Sequence, residues 1–175
     1  MIRCRRTAVL LVAVTLAGCT ARPHPPAPTP APSPVAPAPS PSAGPGQAAV
    51  DAYIGLQRAF LRAGQSTTLD DPDLARYGTG EALHTLRNIL ATYRAQGLRT
   101  RGEAVFHATV ESVGSDTTRV RDCLDTRGTS VYRPSGEPYA DAPGGLRLVL
   151  ADVVLVDGVW KVTLLDIREI GSCTV

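Results

Sequence analysis

The spacing of hydrophobic residues changes at Gly97, and this change constrains the fold more than any other feature of the chain. Before Gly97, from residue 48, apolar side chains recur every three to four positions, which is the period of an amphipathic helix. After Gly97 they alternate with polar side chains, which is the period of a half-buried strand. A helical segment followed by a strand-rich segment predicts an α+β domain, in which helices pack on an antiparallel sheet.

The helical segment divides into three parts. The first predicted helix covers residues 48–64, and one stripe of it contains Ala49, Tyr53, Leu56 and Phe60. Asp71-Pro72 is typical of a helix start, with a capping carboxylate before a proline at the first helical position, and predicts a short helix that reaches residue 77. A third helix is expected over residues 79–96, and Gly97 is a natural stop after it.

The strand-rich segment predicts five strands, at residues 104–113, 119–125, 129–132, 146–156 and 159–170. Asp157-Gly158 joins the last two strands in a type I′ turn, because this dipeptide accepts positive φ at both positions. A two-residue turn places these residues opposite each other: Leu155 and Trp160, Val153 and Val162, Ala151 and Leu164, Val149 and Asp166, Arg147 and Arg168. With this pairing the apolar face changes sides halfway along the hairpin. Either a β-bulge near Asp152 resets the alternation, or the two faces are covered at different points.

The N-terminal residues 1–18 predict a secretory signal. Arg3, Arg5 and Arg6 precede an apolar run that is shorter than the roughly 20 residues of a membrane-spanning helix. The run ends in Leu16-Ala17-Gly18-Cys19, which resembles the lipobox of bacterial lipoproteins. That resemblance implies cleavage before Cys19, acylation of Cys19 and attachment to the outer face of the bacterial cell membrane. The alternative is an ordinary signal with an incidental thiol, but such signals have a small residue where Leu16 stands.

Residues 19–46 predict a disordered tether that begins at the lipidated Cys19. The segment contains 11 of the 15 prolines and almost no large aliphatic side chain, so it cannot bury enough apolar surface to fold. It is expected to be a stalk, with a proline-rich ligand as the alternative. Signal cleavage removes three arginines and no acidic residue, so the excess of basic over acidic side chains in the full chain disappears. This balance argues against nucleic acid as a partner and leaves the acyl chains as the membrane contact.

Residues 47–175 form the predicted folded domain, in which Cys123 and Cys173 are the only cysteines. In an oxidising compartment an even pair favours a disulfide, and two free thiols are the alternative. The histidines do not add enough ligands for a zinc site, so no metal is expected. The sequence also contains none of the common phosphate-binding or nucleophile motifs, and no cofactor is expected.

Three helices followed by a long, curved antiparallel sheet resemble the nuclear-transport-factor-2-like fold of ketosteroid isomerase and SnoaL-type polyketide cyclases. The resemblance covers residues 47–175. Three segments also look like actinobacterial lipoproteins with such a domain: Asp122-Cys123-Leu124-Asp125, Asp157-Gly158-Val159-Trp160-Lys161-Val162 and Gly171-Ser172-Cys173. The resemblance implies a cone of helices and sheet that can hold a hydrophobic ligand, and for many extracytoplasmic members it implies no activity.

Catalysis on this fold would need acid–base groups inside the cone. The isomerases use a tyrosine of the first helix together with carboxylates, and the matching candidates in this chain are Tyr53, His107 and a strand aspartate, of which Asp122 is one. The alternative is that Tyr53 belongs to the core with its hydroxyl satisfied and that His107 is an ordinary half-buried histidine. In that case the strand aspartates are solvated or pair with Arg147 and Arg168.

The sequence therefore favours a lipid-anchored extracytoplasmic domain that is not catalytic and that binds a partner protein or an apolar small ligand. The loop at residues 133–145 is a candidate rim for that binding surface. Two alternatives stay open. One is an isomerase- or cyclase-like enzyme that acts on a hydrophobic substrate, and the other is an accessory protein that forms a homodimer through its sheet.

Overall fold

The computed structural model describes residues 44–66, 71–139 and 144–175. Within them, three helices pack on a curved antiparallel sheet, which confirms the α+β architecture predicted from the sequence. The signal, Cys19 and nearly all of the tether lie outside the described residues. The elements are α1 (Pro45–Ser66), α2 (Pro72–Tyr77), α3 (Gly80–Ala95), β1 (Arg99–Gly102), β2 (Thr109–Val113), β3 (Thr117–Asp125), β4 (Thr129–Tyr132), β5 (Leu146–Val156) and β6 (Val159–Ile170).

The helix boundaries follow the expected local chemistry. The side chain of Asp71 accepts a hydrogen bond of 2.9 Å from the backbone N–H of Asp73, so Asp71 caps α2 as predicted. Gly97 follows α3 with φ of +69°, a left-handed conformation that terminates helices and that glycine adopts without strain. Helix α1 begins three residues earlier than predicted, at Pro45, because proline suits the first turn of a helix.

The predicted strand over residues 104–113 is wrong in its extent. The chain forms β1 and β2 instead, and between them only Val105 makes a bridge, to Asp125. Strand β1 pairs with β4 in a separate two-stranded sheet, whereas β2 joins the main sheet, so the chain must leave one sheet for the other. Gly102 permits this crossing, since a Cβ there would overlap the carbonyl oxygen of Gly128. The predicted alternation itself is correct, because Phe106 is half-buried while its neighbours in sequence are exposed.

The main sheet has the strand order β2-β3-β5-β6, and its β5–β6 hairpin contains the predicted turn. Asp157 and Gly158 both have positive φ, and the two pairs nearest the turn are those predicted. A β-bulge then lies between Asp152 and Val153, so the bulge is the alternative that the structure adopts. The predicted pairs beyond the bulge are wrong by one or two residues. The observed pairs are Ala151 with Leu165, Val149 with Ile167 and Arg147 with Ile170.

The bulge keeps the central part of one face of the hairpin apolar, from Val149 to Val153 of β5. Val149, Ala151 and Val153 are fully buried on this inner face, and after the shift they pair with apolar residues of β6. Helices α1 and α3 cover the same face, with Leu56 and Leu90 fully buried. The hydrophobic core therefore lies between the helices and the inner face of the sheet.

The predicted disulfide between Cys123 and Cys173 is present, with 5.8 Å between the two Cα atoms. It closes a loop of 50 residues, a length for which chain-entropy arguments assign a stabilisation of about 4 kcal/mol. The Ser172 hydroxyl also accepts a 2.8 Å hydrogen bond from the backbone N–H of Leu148. The C-terminal residues are thereby attached to β3 and β5. Across the described ranges, no helix combines the length and the apolar character that are needed to cross a membrane.

Candidate functional site

A cavity of about 800 Å³ lies between α1, α3 and the inner face of the sheet. This volume falls within the range of roughly 300–1,000 Å³ that is typical of small-molecule sites. Most of its wall is apolar. The apolar side chains that line it are Phe60, Leu61, Leu86, Ile89, Ala104, Phe106, Leu124, Val131, Pro138, Ile167 and Ile170.

Besides Tyr93, and Ser130, which accepts a hydrogen bond from Arg101 Nε, the polar side chains in the cavity wall fall into two groups. Three threonines already have partners: Thr100 donates to the carbonyl of Leu61 at 3.1 Å, Thr126 to that of Gly145 at 2.9 Å, and Thr129 to that of Thr126 at 2.9 Å. The second group has none: Gln57 Nε2 and Arg147 Nε are buried and make no hydrogen bond. Buried donors nearly always have partners, so these two nitrogens are exceptions that need an explanation.

Arg147 lies at the second irregularity of the β5–β6 pairing, which falls between Arg147 and Val149. It lies opposite Leu124 of β3 and Ile170 of β6, and both of these neighbours are apolar residues of the cavity wall. Arg147 is the only charged side chain in the described lining. Among the described residues it has no carboxylate within ion-pair distance. Within the described part of the chain, the cavity therefore contains one guanidinium group without a counter-ion.

Tyr93 lies in the same wall and responds to this charge. Burial raises the pKa of Tyr93, while the nearby positive charge of Arg147 acts in the opposite direction. Tyr139, in the loop at residues 133–145, also contributes to the raised pKa of Tyr93. Arg147 and Tyr139 therefore both lie close enough to Tyr93 to influence its titration.

The three candidate catalytic residues come together outside this lining. The Tyr53 hydroxyl donates a hydrogen bond of 2.9 Å to Asp122 Oδ2, and the backbone N–H of His107 donates one of 2.7 Å to Asp122 Oδ1. Tyr53 and Asp122 are both fully buried. The imidazole of His107 is not part of the contact, and the side chain is exposed rather than half-buried. Asp122 is therefore neither solvated nor paired with an arginine.

Burial controls the titration of this pair. It raises the pKa of Asp122, and the hydrogen bonds from Tyr53 and His107 oppose the rise. The pKa of Tyr53 is raised well above its usual value, first by burial and then by the adjacent Asp122 charge.

Neither Tyr53 nor Asp122 lines the cavity, whose wall is formed at this point by Gln57 and Phe106. A general acid or base must lie within hydrogen-bond reach of the proton that it transfers, or act through one water. A ligand in the cavity meets Gln57 first, one helical turn along α1 from Tyr53. The arrangement thus corresponds to the alternative in which Tyr53 is a core residue with its hydroxyl satisfied.

Gln57 and Arg147 are the residues that sequence reasoning missed. A signal for Gln57 existed, since it directly follows Leu56 inside the apolar stripe of α1. Arg147 had no such signal, because the predicted register placed it opposite Arg168 instead of Ile170. As for metals, the described residues contain no cluster of three or more histidine, cysteine or carboxylate side chains that would hold an ion.

No profile of a known protein family matches the sequence, and no curated protein sequence matches it. Solved structures align at low identity. The intermembrane space region of chloroplast protein ARC6 is 15% identical, with a TM-score of 0.53, over 71% of this chain and 96% of that one. A putative aromatic ring hydroxylase from Novosphingobium aromaticivorans is 12% identical, with a TM-score of 0.50, over 69% of this chain and 87% of that one. An NTF-2 like protein of unknown function from Shewanella oneidensis is 15% identical, with a TM-score of 0.44, over 68% and 98%.

These similarities concern the fold, in which three helices pack on a curved antiparallel sheet. A fold of this kind carries different functions in different proteins, so function has to be argued from the site. In this chain the site is the cavity with its two unpaired donors.

Proposed function

We propose that this protein is a lipid-anchored, non-catalytic binding protein for an apolar small molecule, which it holds in the cavity between α1, α3 and the sheet. The observation that carries the proposal is the cavity wall, which is largely apolar and contains two buried donors without partners. Binding sites for small molecules combine an apolar wall with a few polar groups in this way. The buried acid–base pair lies behind that wall, which supports binding over catalysis.

The size of the cavity is compatible with useful affinity. Burial of roughly 300 Å² of apolar ligand surface contributes about 7 kcal/mol at about 25 cal/mol per Å². The loss of ligand freedom offsets part of this gain. A preformed cavity keeps that offset small, because little of the protein has to be ordered when the ligand enters. An affinity between about 10 μM and 1 mM is therefore expected for a ligand of moderate size.

A neutral fluorescent probe tests the binding function. N-phenyl-1-naphthylamine is added to the full chain carrying Cys19→Ser, so that no detergent competes for the cavity, and its fluorescence is expected to rise as it binds. Ile89→Trp fills part of the cavity and should weaken binding at least tenfold. Val113→Trp is the matched control, because Val113 is exposed on β2 away from the cavity and should leave binding unchanged.

Two results would refute the proposal. One is the absence of any fluorescence change with a chain whose circular dichroism shows that it is folded. The other is equal binding by the Ile89→Trp and Val113→Trp variants, since this would place the probe outside the cavity.

The location rests on the N-terminal sequence. We propose that acyl chains on Cys19 attach the domain to the outer face of the membrane, with about 0.8 kcal/mol for each buried methylene, and that residues 20–46 hold it away from the surface. The disulfide is compatible with an oxidising compartment. Cys19→Ser should move the protein from the membrane fraction to the soluble fraction, and Cys4→Ser is the matched control. Continued membrane association of Cys19→Ser would contradict the lipid anchor.

A protein partner and a homodimer formed through the sheet stay predictions. Two described residues of the loop at residues 133–145, Pro138 and Gly144, contribute to the cavity wall. Within the loop the Arg133 guanidinium lies over the Tyr139 ring, 4.9 Å from its centre. Alanine substitutions at these two residues would reveal a partner surface if they weakened binding to that partner without changing probe binding in the cavity.

A further inference from the structure

We infer that the ligand is an amphiphile with a single carboxylate, and that Arg147 binds this head group while the apolar part occupies the remainder of the cavity. The inference rests on the proposed function and assigns the chemical class of the ligand. It starts from the one charged side chain of the described lining, for which the described residues supply no carboxylate within ion-pair distance.

Arg147 is half-buried and its Nε atom is fully buried, so the guanidinium loses part of its hydration, and an anion beside it would compensate for that loss. The Arg147 Nε atom is buried and makes no hydrogen bond, and the two residues beside Arg147 in the sheet, Leu124 and Ile170, are both apolar. A ligand carboxylate at this point would pair the charge and exclude water at the same time. Binding would thus remove an unfavourable feature of the empty protein.

The geometry of the free donor favours a carboxylate. A guanidinium binds a carboxylate through two parallel N–H···O bonds, and the side-on form of this pair uses Nε together with one terminal nitrogen. Nε of Arg147 is the atom that lacks a partner. Because the described lining contains one cation, it matches a ligand with one negative charge. A phosphate monoester would carry a second negative charge, for which the described lining has no second cation.

Gln57 adds an independent observation. The residue is 6% exposed and lies on α1 rather than on the sheet. Its Nε2 atom makes no hydrogen bond of good geometry, although the side chain is close enough to Tyr53 to oppose the rise in the pKa of that hydroxyl. The unsatisfied groups of the wall are therefore donors, and no carboxylate lines it among the described residues. Such a wall is complementary to a head group that only accepts hydrogen bonds, which is a property of an ionised carboxylate.

Displacement of N-phenyl-1-naphthylamine by ligands with the same tail tests the inference. Dodecanoate and dodecanol differ only in the head group, and dodecanoate should bind at least tenfold more tightly to the full chain carrying Cys19→Ser. Arg147→Met keeps an unbranched apolar side chain and removes the guanidinium, and it should abolish this preference while dodecanol affinity changes less than twofold. The matched control is Arg168→Met, because Arg168 lies on β6 outside the cavity and pairs with Asp166 at 2.6 Å.

The outcomes distinguish a failure of apolar binding in the cavity from a failure of the carboxylate assignment. If neither ligand displaces the probe from the cavity, the proposed function fails. If both bind equally, and Arg147→Met leaves their ratio unchanged, the carboxylate assignment fails while apolar binding stands. Dodecyl phosphate that binds more tightly than dodecanoate would contradict the monoanion assignment. If Arg147→Met does not fold, Arg147→Lys is the second variant, because it retains the positive charge without the paired N–H donors of a guanidinium. It should reduce the preference for dodecanoate over dodecanol several-fold. An unchanged preference would overturn the role of bidentate pairing.

Discussion

Two sets of polar groups lie between the helices and the sheet, and they differ in whether their buried atoms have hydrogen-bond partners. Tyr53 of α1 and Asp122 of β3 are joined by a hydrogen bond of 2.9 Å inside the wall. Gln57, one turn along α1, and Arg147, on the neighbouring strand β5, face the cavity, and each has a buried nitrogen without a partner. A satisfied group stabilises the fold, whereas an unsatisfied group beside a cavity is available to a ligand.

The difference also assigns roles to the candidates. Pocket enzymes of this kind depend on a tyrosine and a carboxylate, and this chain has both in contact, yet they contact each other rather than the cavity. Proximity of reactive groups is therefore a weaker argument for catalysis than access to a ligand. The same criterion identifies Gln57 and Arg147, which have no acid–base role, as the residues most relevant to binding.

Removal of Asp122 should have the largest effect on stability. Asp122→Ala leaves the Tyr53 hydroxyl and the His107 backbone N–H without an acceptor, and two buried unsatisfied donors cost about 3 kcal/mol together. Urea denaturation measures the loss, and probe binding by the folded protein should be unchanged. Asp166→Ala is the control, since its ion pair with Arg168 is partly exposed and contributes less than about 1 kcal/mol. A loss below about 1 kcal/mol for Asp122→Ala would remove the contrast between the two sets.

Tyr53→Phe should cost less, about 1–2 kcal/mol near neutral pH, because one buried acceptor loses its donor. Burial already raises the pKa of Asp122, so ionisation of Asp122 opposes folding. The contribution of Asp122 to the free energy of unfolding is therefore most favourable below the usual carboxyl pKa. It is lost as the pH rises through the raised pKa. Without the Tyr53 hydroxyl the pKa of Asp122 should rise further.

The stability difference between the native chain and Tyr53→Phe should therefore increase with pH. Urea midpoints measured from pH 3 to pH 7 would show this increase. Tyr132→Phe is the control, because the Tyr132 hydroxyl makes no hydrogen bond within the described part of the chain. A difference that is independent of pH would mean that the hydroxyl does not interact with an ionised Asp122.

Gln57→Met should not reduce the stability of the protein, in contrast to the two substitutions above. The substitution removes a buried donor that lacks a partner and keeps a similar volume, so the free energy of unfolding should stay the same or increase by about 1 kcal/mol. Thermal and urea denaturation measure the change, with Gln65→Met on the exposed part of α1 as the control. A loss of more than about 1 kcal/mol would show that Gln57 Nε2 has a partner in solution and would weaken the comparison.

The smallest effect is expected for a polar pair near the surface. Arg127 donates to Asp125 at 2.6 Å and lowers the pKa of that carboxyl from 3.8 to about 2. Because the pKa is lowered on folding, the pair stabilises the protein above the ordinary value, and the contribution is lost as the pH falls through about 2. Arg127→Met should therefore lower the melting temperature slightly at pH 6, and the difference should disappear near pH 2. Equal melting temperatures at pH 6 would contradict the pairing.

The sequence predicted the local elements well, and the reason is visible in particular residues. Asp71 caps α2, Asp157 and Gly158 form the hairpin turn, and the alternation around Phe106 gives the correct faces, because each depends on neighbours in the chain. The strand at residues 104–113 failed because its break depends on pairing with two different strands. The hairpin register failed beyond Asp152 because one bulged residue shifts every later pair.

By itself the sequence determined the α+β class, the three helices, the last hairpin and the cysteine pair, since periodicity and turn chemistry act over a few residues. The tertiary structure alone decided which buried polar groups would be satisfied. Asp122 lies opposite Tyr53, 69 positions away in the chain, whereas Arg147 lies between two apolar neighbours. Such partners are brought together by strand register and helix packing, and a shift of two residues in the register places Ile170 rather than Arg168 opposite Arg147.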